Sequence, residues 1–194
     1  VGGVILTKEK IFISNENRIL IRYTLVDAHS ATTLRFKPFL AFRESNALCM
    51  ANDAVNRETT PVDNGIATCL YDGFPTLYMQ FSRKAQWVAK PDWYNGIEYV
   101  KDMERGVPYC EDLWVPGYFE VPLRKGESVI FSAGVDPVKP ASLKKMYEGE
   151  IASRTPRTSF YNCLKNAAKQ FYVRDGEDMF VISGFPWGVV LARN

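Results

Sequence analysis

The 194-residue chain is 46% hydrophobic and 13% aromatic, which is ample for a folded core and excludes an intrinsically disordered protein. Its 24 basic and 22 acidic residues are mixed along the chain and leave a formal net charge of +2, so no clustered basic stripe predicts a nucleic-acid partner. No apolar run approaches the roughly 18 residues that cross a bilayer, and no membrane partner is predicted.

Residues 10–135 have the alternating hydrophobicity and frequent turns that are typical of antiparallel β-structure. In the first predicted strand, "RILIRYTLVD", one face carries Ile19, Ile21, Tyr23 and Leu25. Further strands are predicted at "GIATCLYD", "TLYMQFSR", "AQWVAK", "GYFEVPL" and "ESVIFSAGV". Because no helices interleave them, the pattern predicts a mainly β fold in which two antiparallel sheets stack as a β-sandwich.

The segment "TTLRFKPFLAFRE" predicts a strand at the edge of its sheet. Pro38 cannot donate a hydrogen bond to a neighbouring strand, so this strand is expected at an edge or at a bulge. Its two predicted faces carry different side chains, namely Leu34, Phe36, Pro38, Leu40 and Phe42 on one and Arg35, Lys37, Phe39 and Ala41 on the other.

After the last of these strands the pattern changes from β to helical. "DPVKP" predicts a linker, "ASLKKMYEGEIASR" is polar with helical propensity, and apolar spacing predicts an amphipathic helix over residues 158–174. Thr155 and Pro156 are predicted as N-cap and first helical position, and Asp175-Gly176 as the end of the helix. "DMFVISGFPW" then predicts a buried strand that enters a loop.

Six carboxylates between residues 92 and 112 are the candidates for hydrolytic catalysis. A glycosidase needs two carboxyl groups about 5–9.5 Å apart in surroundings that tune their pKa values. Lys101 and Arg105 lie among these acids, which favours a solvated loop with salt bridges over a catalytic pair. The six are Asp92, Glu98, Asp102, Glu104, Glu111 and Asp112.

Aromatic residues crowd the same region, and they favour a carbohydrate ligand. Sugar rings stack their apolar C–H faces on aromatic side chains while their hydroxyls bond to amides and carboxylates. Trp87 and Phe119 are expected in the core. Trp93, Tyr94 and Asn95 are expected in a loop, and they are our candidates for contact with a glucan.

Other kinds of site find little support in the sequence. His29 stands alone as the single histidine and is expected in a turn, so no histidine-based catalytic group is predicted. Cys49, Cys69, Cys110 and Cys163 are widely spaced and are expected to be buried free thiols. We predict no metal and no cofactor, and we find no glycine-rich phosphate loop.

Several segments, in family order, resemble the bacterial and archaeal type of glycogen debranching enzyme (amylo-α-1,6-glucosidase). They are "LRFKPFLAFRESNAL", "WYNGIEYVKDMERGVPYCEDLWVPGYFEV" with "GESVIFSAGV", and "AAKQFYVRDGEDMFVISGFPW". The resemblance implies a β-sandwich of the super-sandwich type, linker helices, and then a catalytic toroid of paired α-helices. Accordingly, we assign residues 1–136 to the sandwich, 137–176 to the helical linker and 177–194 to the start of the toroid.

The resemblance also assigns roles near the end of the chain. In the family, a "GFPW"-like turn is followed by an Arg-Asp pair that contacts the glucose whose bond is cleaved. Trp187 lies in the matching turn, and Arg193 aligns with the arginine, while Asn194 stands in place of the aspartate. The resemblance therefore implies that Trp187 and Arg193 bind substrate. It places the catalytic carboxylates on the toroid, so no catalytic residue is assigned within this chain.

Three functional hypotheses follow from the residues and the resemblance together. In the first, this is a non-catalytic N-terminal domain that packs against the toroid of an α-1,6-glucosidase and rims its active site. In the second, it is a free-standing glucan-binding or partner-binding protein without hydrolase activity. In the third, the sandwich is a structural support that binds no ligand. The expected partners are an α-glucan, the toroid domain and a second copy docking through the exposed helix 158–174, and the expected location is cytoplasmic.

Overall fold

The computed structural model of the chain describes residues 2–44, 47–176, 178–184 and 188–191. The chain divides into two compact units, Val1–Tyr147 and Glu148–Asn194. The strands of the first unit, in chain order, are β1 (Ile5–Phe12), β2 (Arg18–Asp27), β3 (Thr32–Phe36), β4 (Thr60–Val62), β5 (Gly65–Thr68), β6 (Leu77–Phe81), β7 (Gln86–Glu98), β8 (Cys110–Leu123) and β9 (Ser128–Gly134).

These strands form two antiparallel sheets. The six-stranded sheet has the order β1-β2-β9-β6-β5-β4, and the three-stranded sheet has the order β3-β8-β7. Strands β7 and β8 make a long hairpin whose connection contains the short helix α1 (Val100–Glu104).

The main core lies between the two sheets. Phe81 of β6 contacts Phe119 of β8 at a centroid distance of 4.9 Å, and Tyr23 of β2 contacts Phe36 of β3 at 4.8 Å. Because apolar side chains from both sheets share one buried cluster, the first unit is a two-layer antiparallel β-sandwich. The predicted fold class is confirmed.

A second core covers the other face of the six-stranded sheet. Leu20 of β2 and Ile130 of β9 pack there with Leu143 and Tyr147, all four of them buried. Leu143 and Tyr147 belong to helix α2 (Leu143–Ser153), which follows a 3-10 turn at Pro140–Ser142. Strand β2 has apolar residues on both faces because the main core covers one face and the second core covers the other.

The predicted edge strand has the expected faces but a shorter length. β3 is an edge strand of its sheet and ends at Phe36, two residues before Pro38. Leu34, Phe36 and Phe42 pack against the main core, whereas Arg35, Lys37 and Phe39 are exposed. Beyond β3, only a bridge between Leu40 and Trp114 continues the pairing with β8 among the described residues.

The second unit contains helix α3 (Phe160–Lys169) and strands β10 (Tyr172–Asp175), β11 (Asp178–Gly184) and β12 (Gly188–Leu191), which pair in that order. The helix predicted over 158–174 is thus too long, because the aromatic and β-branched residues from Tyr172 onward pair with β11 instead. The predicted cap at Thr155 is also wrong: the Ser159 hydroxyl accepts the amide of Asn162 at 3.2 Å and caps the helix.

Helix α3 and strand β11 of the second unit both carry exposed apolar side chains. Phe160 and Leu164 of the predicted apolar stripe on α3 are exposed, and docking of a second copy there stays a prediction. In β11, predicted as a buried strand, Ile182 is buried but Met179 and Val181 are exposed. The three-domain division at residues 136 and 176 also stays a prediction.

Candidate functional site on the three-stranded sheet

Trp93, Tyr94 and Asn95 lie within strand β7, not in the predicted loop. The proline, asparagine and glycine residues of "KPDWYNG" suggested a loop, but the strand accommodates them at two irregularities, between Ala89 and Asp92 and between Tyr94 and Ile97. Because neighbouring residues of a strand point to opposite faces, Trp93 and Tyr94 do not share a surface.

Trp93 points toward the main core. Its ring is half-buried and meets the buried ring of Trp114 edge-on at a centroid distance of 5.3 Å. Trp87 packs on Phe119 at 4.5 Å in the same core, as the sequence predicts for these two residues. Most of the area of Trp93 is thus used in packing, which leaves only its exposed edge for a ligand.

Tyr94 lies on the outer face of the three-stranded sheet. The Lys37 ammonium lies 4.6 Å from the centroid of the Tyr94 ring and hydrogen-bonds to its hydroxyl. The Phe39 ring meets Tyr94 edge-on at 4.9 Å and is 45% exposed. Across the sheet from Tyr94, Leu113 is buried, so the two exposed rings lie on a packed floor.

A second group of side chains continues this face along the sheet. Arg35 forms an ion pair with Glu120 on the neighbouring strand, with 2.6 Å between Nη2 and Oε1. The Arg35 guanidinium also lies over the Tyr118 ring, 4.3 Å from its centroid. We call this set the outer aromatic face, and it consists of Arg35, Lys37, Phe39, Tyr94, Tyr118 and Glu120.

The sequence contained the signal for most of this face. Alternation already placed Arg35, Lys37 and Phe39 together on one side of the edge strand. It did not bring Tyr94 to them, because that requires the pairing of β8 between β3 and β7. Strand order depends on contacts between distant residues, which a local pattern does not encode.

Glu111 and Asp112 lie on β8 and are buried, so the predicted solvated loop is wrong for these two acids. Glu111 has 0% exposed side chain and accepts Arg43 Nε at 2.7 Å and Arg43 Nη2 at 2.8 Å. It also accepts the Cys49 amide at 3.1 Å and the Tyr99 hydroxyl.

Asp112 of β8 accepts hydrogen bonds from two backbone segments that are distant from each other in sequence. Its Oδ2 accepts the Ala51 amide and its Oδ1 the Gly96 amide, each at 2.8 Å. Together with Glu111, it ties Arg43, Cys49, Ala51 and the irregular end of β7 to β8. We call Glu111 and Asp112 the carboxylate clamp.

The environment of Glu111 keeps it ionised. The hydrogen bonds from Arg43 are the main cause, aided by those from Tyr99 and Cys49, and they lower the pKa of Glu111 from 4.5 to about 2 against the opposing effect of burial. Burial, aided by the bond to Glu111, raises the pKa of Tyr99. A carboxylate that is ionised and fully hydrogen-bonded is unsuited to act as a general acid.

Of the other four acids, Asp92 and Glu98 lie within strand β7, whereas Asp102 and Glu104 match the predicted solvated segment with salt bridges. Lys101 pairs with Glu104 at 2.8 Å, and Arg105 pairs with Asp102 at 3.4 Å. These pairs lie in and next to the short helix α1 at the hairpin tip. A strand position was foreseeable for Glu111 and Asp112 only from their place directly before the apolar run that begins at Leu113.

The remaining predicted residues have mixed outcomes. Trp187 and Arg193 lie outside the described residues, so their assignment stays a prediction. His29 lies exposed in a bend after β2, as expected. The four cysteines are free, as predicted, but none of them is buried. Cys49 and Cys69 are partly exposed, and Cys110, at the start of its strand, and Cys163 are exposed.

No group of three or more histidine, cysteine, aspartate or glutamate side chains in the described residues is arranged to hold a metal ion. In the same part of the chain, every helix is too short or too polar to cross a membrane.

Comparison with known proteins gives one match. A family model described as glycogen debranching enzyme N terminal matches residues 1–130, which include the outer aromatic face and the carboxylate clamp. No curated protein and no solved structure matches the chain. Because the match covers more than half of the 194 residues, the chain belongs to the glycogen debranching enzyme N-terminal family.

Proposed function

We propose that this chain is the non-catalytic N-terminal domain of a glycoside hydrolase of the glycogen-debranching type. The hydrolase removes α-1,6-linked glucose at branch stubs of glycogen-like α-glucan. The sandwich packs on the catalytic domain and rims its active site. The observation that carries the proposal is the family match over residues 1–130, which covers strands β1 to β8 of the first unit and ends within β9.

The chemistry of the described acids supports a non-catalytic role. Glu111 and Asp112 bond to Arg43 and to three backbone amides, and Asp102 and Glu104 are in exposed ion pairs. A glycosidase pair needs one carboxyl group with a raised pKa beside an ionised one. The lowered pKa of Glu111 excludes it as the acid of such a pair. Its side chain is fully buried and hydrogen-bonded to Arg43, Cys49 and Tyr99, so it is not placed to act as the ionised member either.

The tip of the β7–β8 hairpin is our candidate for the contact with the catalytic domain. Val100, Met103 and Val107 are all exposed there, in and after helix α1. The carboxylate clamp holds the end of the hairpin in one conformation, so these apolar side chains are presented on a rigid support. Exposed apolar groups on a preorganised element are typical of an interface.

The activity of the isolated chain tests the proposal. We expect no glucose release when the 194-residue protein is incubated with a branched limit dextrin, with a complete debranching enzyme as the positive control. Glucose release by the isolated chain would contradict a non-catalytic role. The reading frame beyond the Asn194 codon gives a second test: a frame that encodes paired amphipathic helices supports the proposal, and an immediate stop codon counts against it.

A free-standing glucan-binding protein is the second candidate, and the exposed rings of the outer aromatic face favour it. In either case we propose Tyr94, Asn95 and the exposed edge of Trp93 as glucan contacts, with Trp187 and Arg193 as contacts near the cleaved bond. A titration with maltooligosaccharides followed by NMR tests these residues one by one. Indole signals of Trp93 and Trp187 that do not move would rule out direct contact for these two.

A further inference from the structure

The two outer faces of the sandwich differ in what covers them. The outer face of the six-stranded sheet is covered by the chain itself, since Leu143 and Tyr147 of α2 pack on it and are buried. The opposite side of the sandwich presents the outer aromatic face, where Phe39 is 45% exposed and Tyr94 and Tyr118 are partly exposed. Single exposed apolar side chains are ordinary on a protein surface, but three partly exposed rings grouped on one face of a sheet indicate a ligand or partner.

The charges on this face select against an ionic ligand. Arg35 is paired with Glu120, and Lys37 is bonded to the Tyr94 hydroxyl, with the exposed acid Asp92 on the same side of β7. With the exposed Lys90, two residues before Asp92 on β7, the three cations exceed the two acids by only one charge. A nucleic acid or another polyphosphate needs an excess of cations to replace its counterions, and an acidic polymer needs the same. The near balance favours a neutral ligand.

The arrangement of the side chains favours a polyol. Each ring lies beside a group that can donate or accept hydrogen bonds: Tyr118 beside Arg35, and Tyr94 beside Lys37. A sugar offers an apolar C–H face to a ring and hydroxyls to the groups around it. The packed floor formed by Leu113 and Val115, both buried, keeps the surface rigid.

We propose that the outer aromatic face is an α-glucan binding surface, which holds a linear stretch of the polymer across the three-stranded sheet. Phe39 stacks on one glucose unit, and Lys37, Arg35 and Glu120 bond to hydroxyls of its neighbours. The choice of α-glucan rests on the proposed function, whereas the neutral, polyhydroxylated nature of the ligand rests on the face alone.

The test measures binding of the purified chain to glycogen by affinity gel electrophoresis and to maltoheptaose by NMR titration. We expect glycogen to retard the wild-type protein. Phe39→Ala is expected to raise the Kd at least about five-fold, as for the loss of one aromatic stacking contact. Lys37→Met is expected to weaken binding as well, because it keeps the length of the side chain but removes the donor.

Phe12→Ala is the matched control. Phe12 is 70% exposed, more than Phe39, but it lies on strand β1 of the other sheet, so its removal is expected to leave binding unchanged. Circular dichroism confirms that each variant is folded. An equal loss of binding in Phe12→Ala and Phe39→Ala would overturn the proposal, as would the absence of any retardation by glycogen.

Two further outcomes separate this inference from its alternatives. In a gel without glucan, one outcome is a wild-type chain that migrates more slowly as its own concentration rises and a Phe39→Ala variant that does not. That result would make the face an interface between copies and would overturn glucan binding. Absence of glucan binding together with absence of glucose release would overturn this inference alone. Glucose release by the chain would instead overturn the proposed non-catalytic role.

Discussion

At the scale of single residues, the Glu111 carboxylate has no exposure to water and accepts hydrogen bonds from four donors. Glu111 accepts the Arg43 guanidinium through both oxygens, the Cys49 amide and the Tyr99 hydroxyl. Breaking such a buried ion pair is costly because it leaves the partner charge without compensation. The sequence predicts acids in this region, but it does not predict burial, since burial depends on the segment around Arg43 that folds over β8.

The pH dependence of stability follows from the lowered pKa of Glu111. Folding lowers the pKa of Glu111 from 4.5 to about 2. The ionised Glu111 therefore stabilises the folded state above pH 4.5, and this stabilisation is lost as the pH falls toward 2. The loss attributable to Glu111 is about 3 kcal/mol. In urea unfolding at pH 7, 4 and 3, we expect Glu111→Gln to be less stable at pH 7 and to lose less stability on acidification than the wild type.

Glu104→Gln is the control for this experiment. Glu104 pairs with Lys101 on the exposed surface of α1, and such pairs contribute about 0–1 kcal/mol. We expect this variant to follow the wild-type pH profile. Identical profiles for the wild type and Glu111→Gln would show that Arg43 and Glu111 are not paired in solution.

At the scale of elements, alternation predicted most of the sandwich strands and both faces of β3, because each strand has one face in the main core. It missed β1, most of whose side chains are exposed and show no buried stripe. It also divided the 13-residue β7, because Pro91, Asn95 and Gly96 resemble a loop. Irregularities that admit these residues are stabilised by β8 and by the carboxylate clamp, which are distant in sequence.

The hairpin also depends on one close approach of its two strands. A Cβ at Gly117 of β8 would collide with the carbonyl oxygen of Val88 and lie 2.9 Å from the amide nitrogen of Lys90, both in β7. Backbone atoms cannot move aside without shifting the strand. We therefore expect Gly117→Ala to destabilise the protein by about 1–3 kcal/mol, measured by urea unfolding.

Gly149→Ala serves as the comparison for Gly117→Ala. Gly149 lies within helix α2 and has no atom within 4 Å of the position of a new Cβ. Alanine is favoured over glycine in a helix by about 1 kcal/mol, so this substitution is expected to be neutral or stabilising. Equal stabilities of the two variants would mean that β7 and β8 are farther apart at Gly117 than described.

At the scale of the whole molecule, the linker has a packing role that its polar composition does not suggest. Helix α2 was predicted from a polar segment, yet Leu143 and Tyr147 close the second core over Leu20 and Ile130. Two apolar residues four positions apart are a weak periodic signal in 11 residues. Their partners on β2 and β9 had to be known before the segment could be assigned to the sandwich.

The position of these two residues predicts where the sandwich can be cut. A chain ending at residue 136 loses Leu143 and Tyr147 and exposes Leu20, whereas a chain ending at residue 155 keeps all of helix α2. Since loss of one large buried side chain costs about 2–5 kcal/mol, the shorter chain is expected to be at least about 3 kcal/mol less stable. Urea unfolding followed by tryptophan fluorescence measures the difference.

Tyr147→Ala in the full chain should reproduce much of this loss of stability, because the substitution removes the same ring without moving the terminus. If the two truncated chains unfold at the same urea concentration, the second core contributes nothing and the sandwich ends at residue 136.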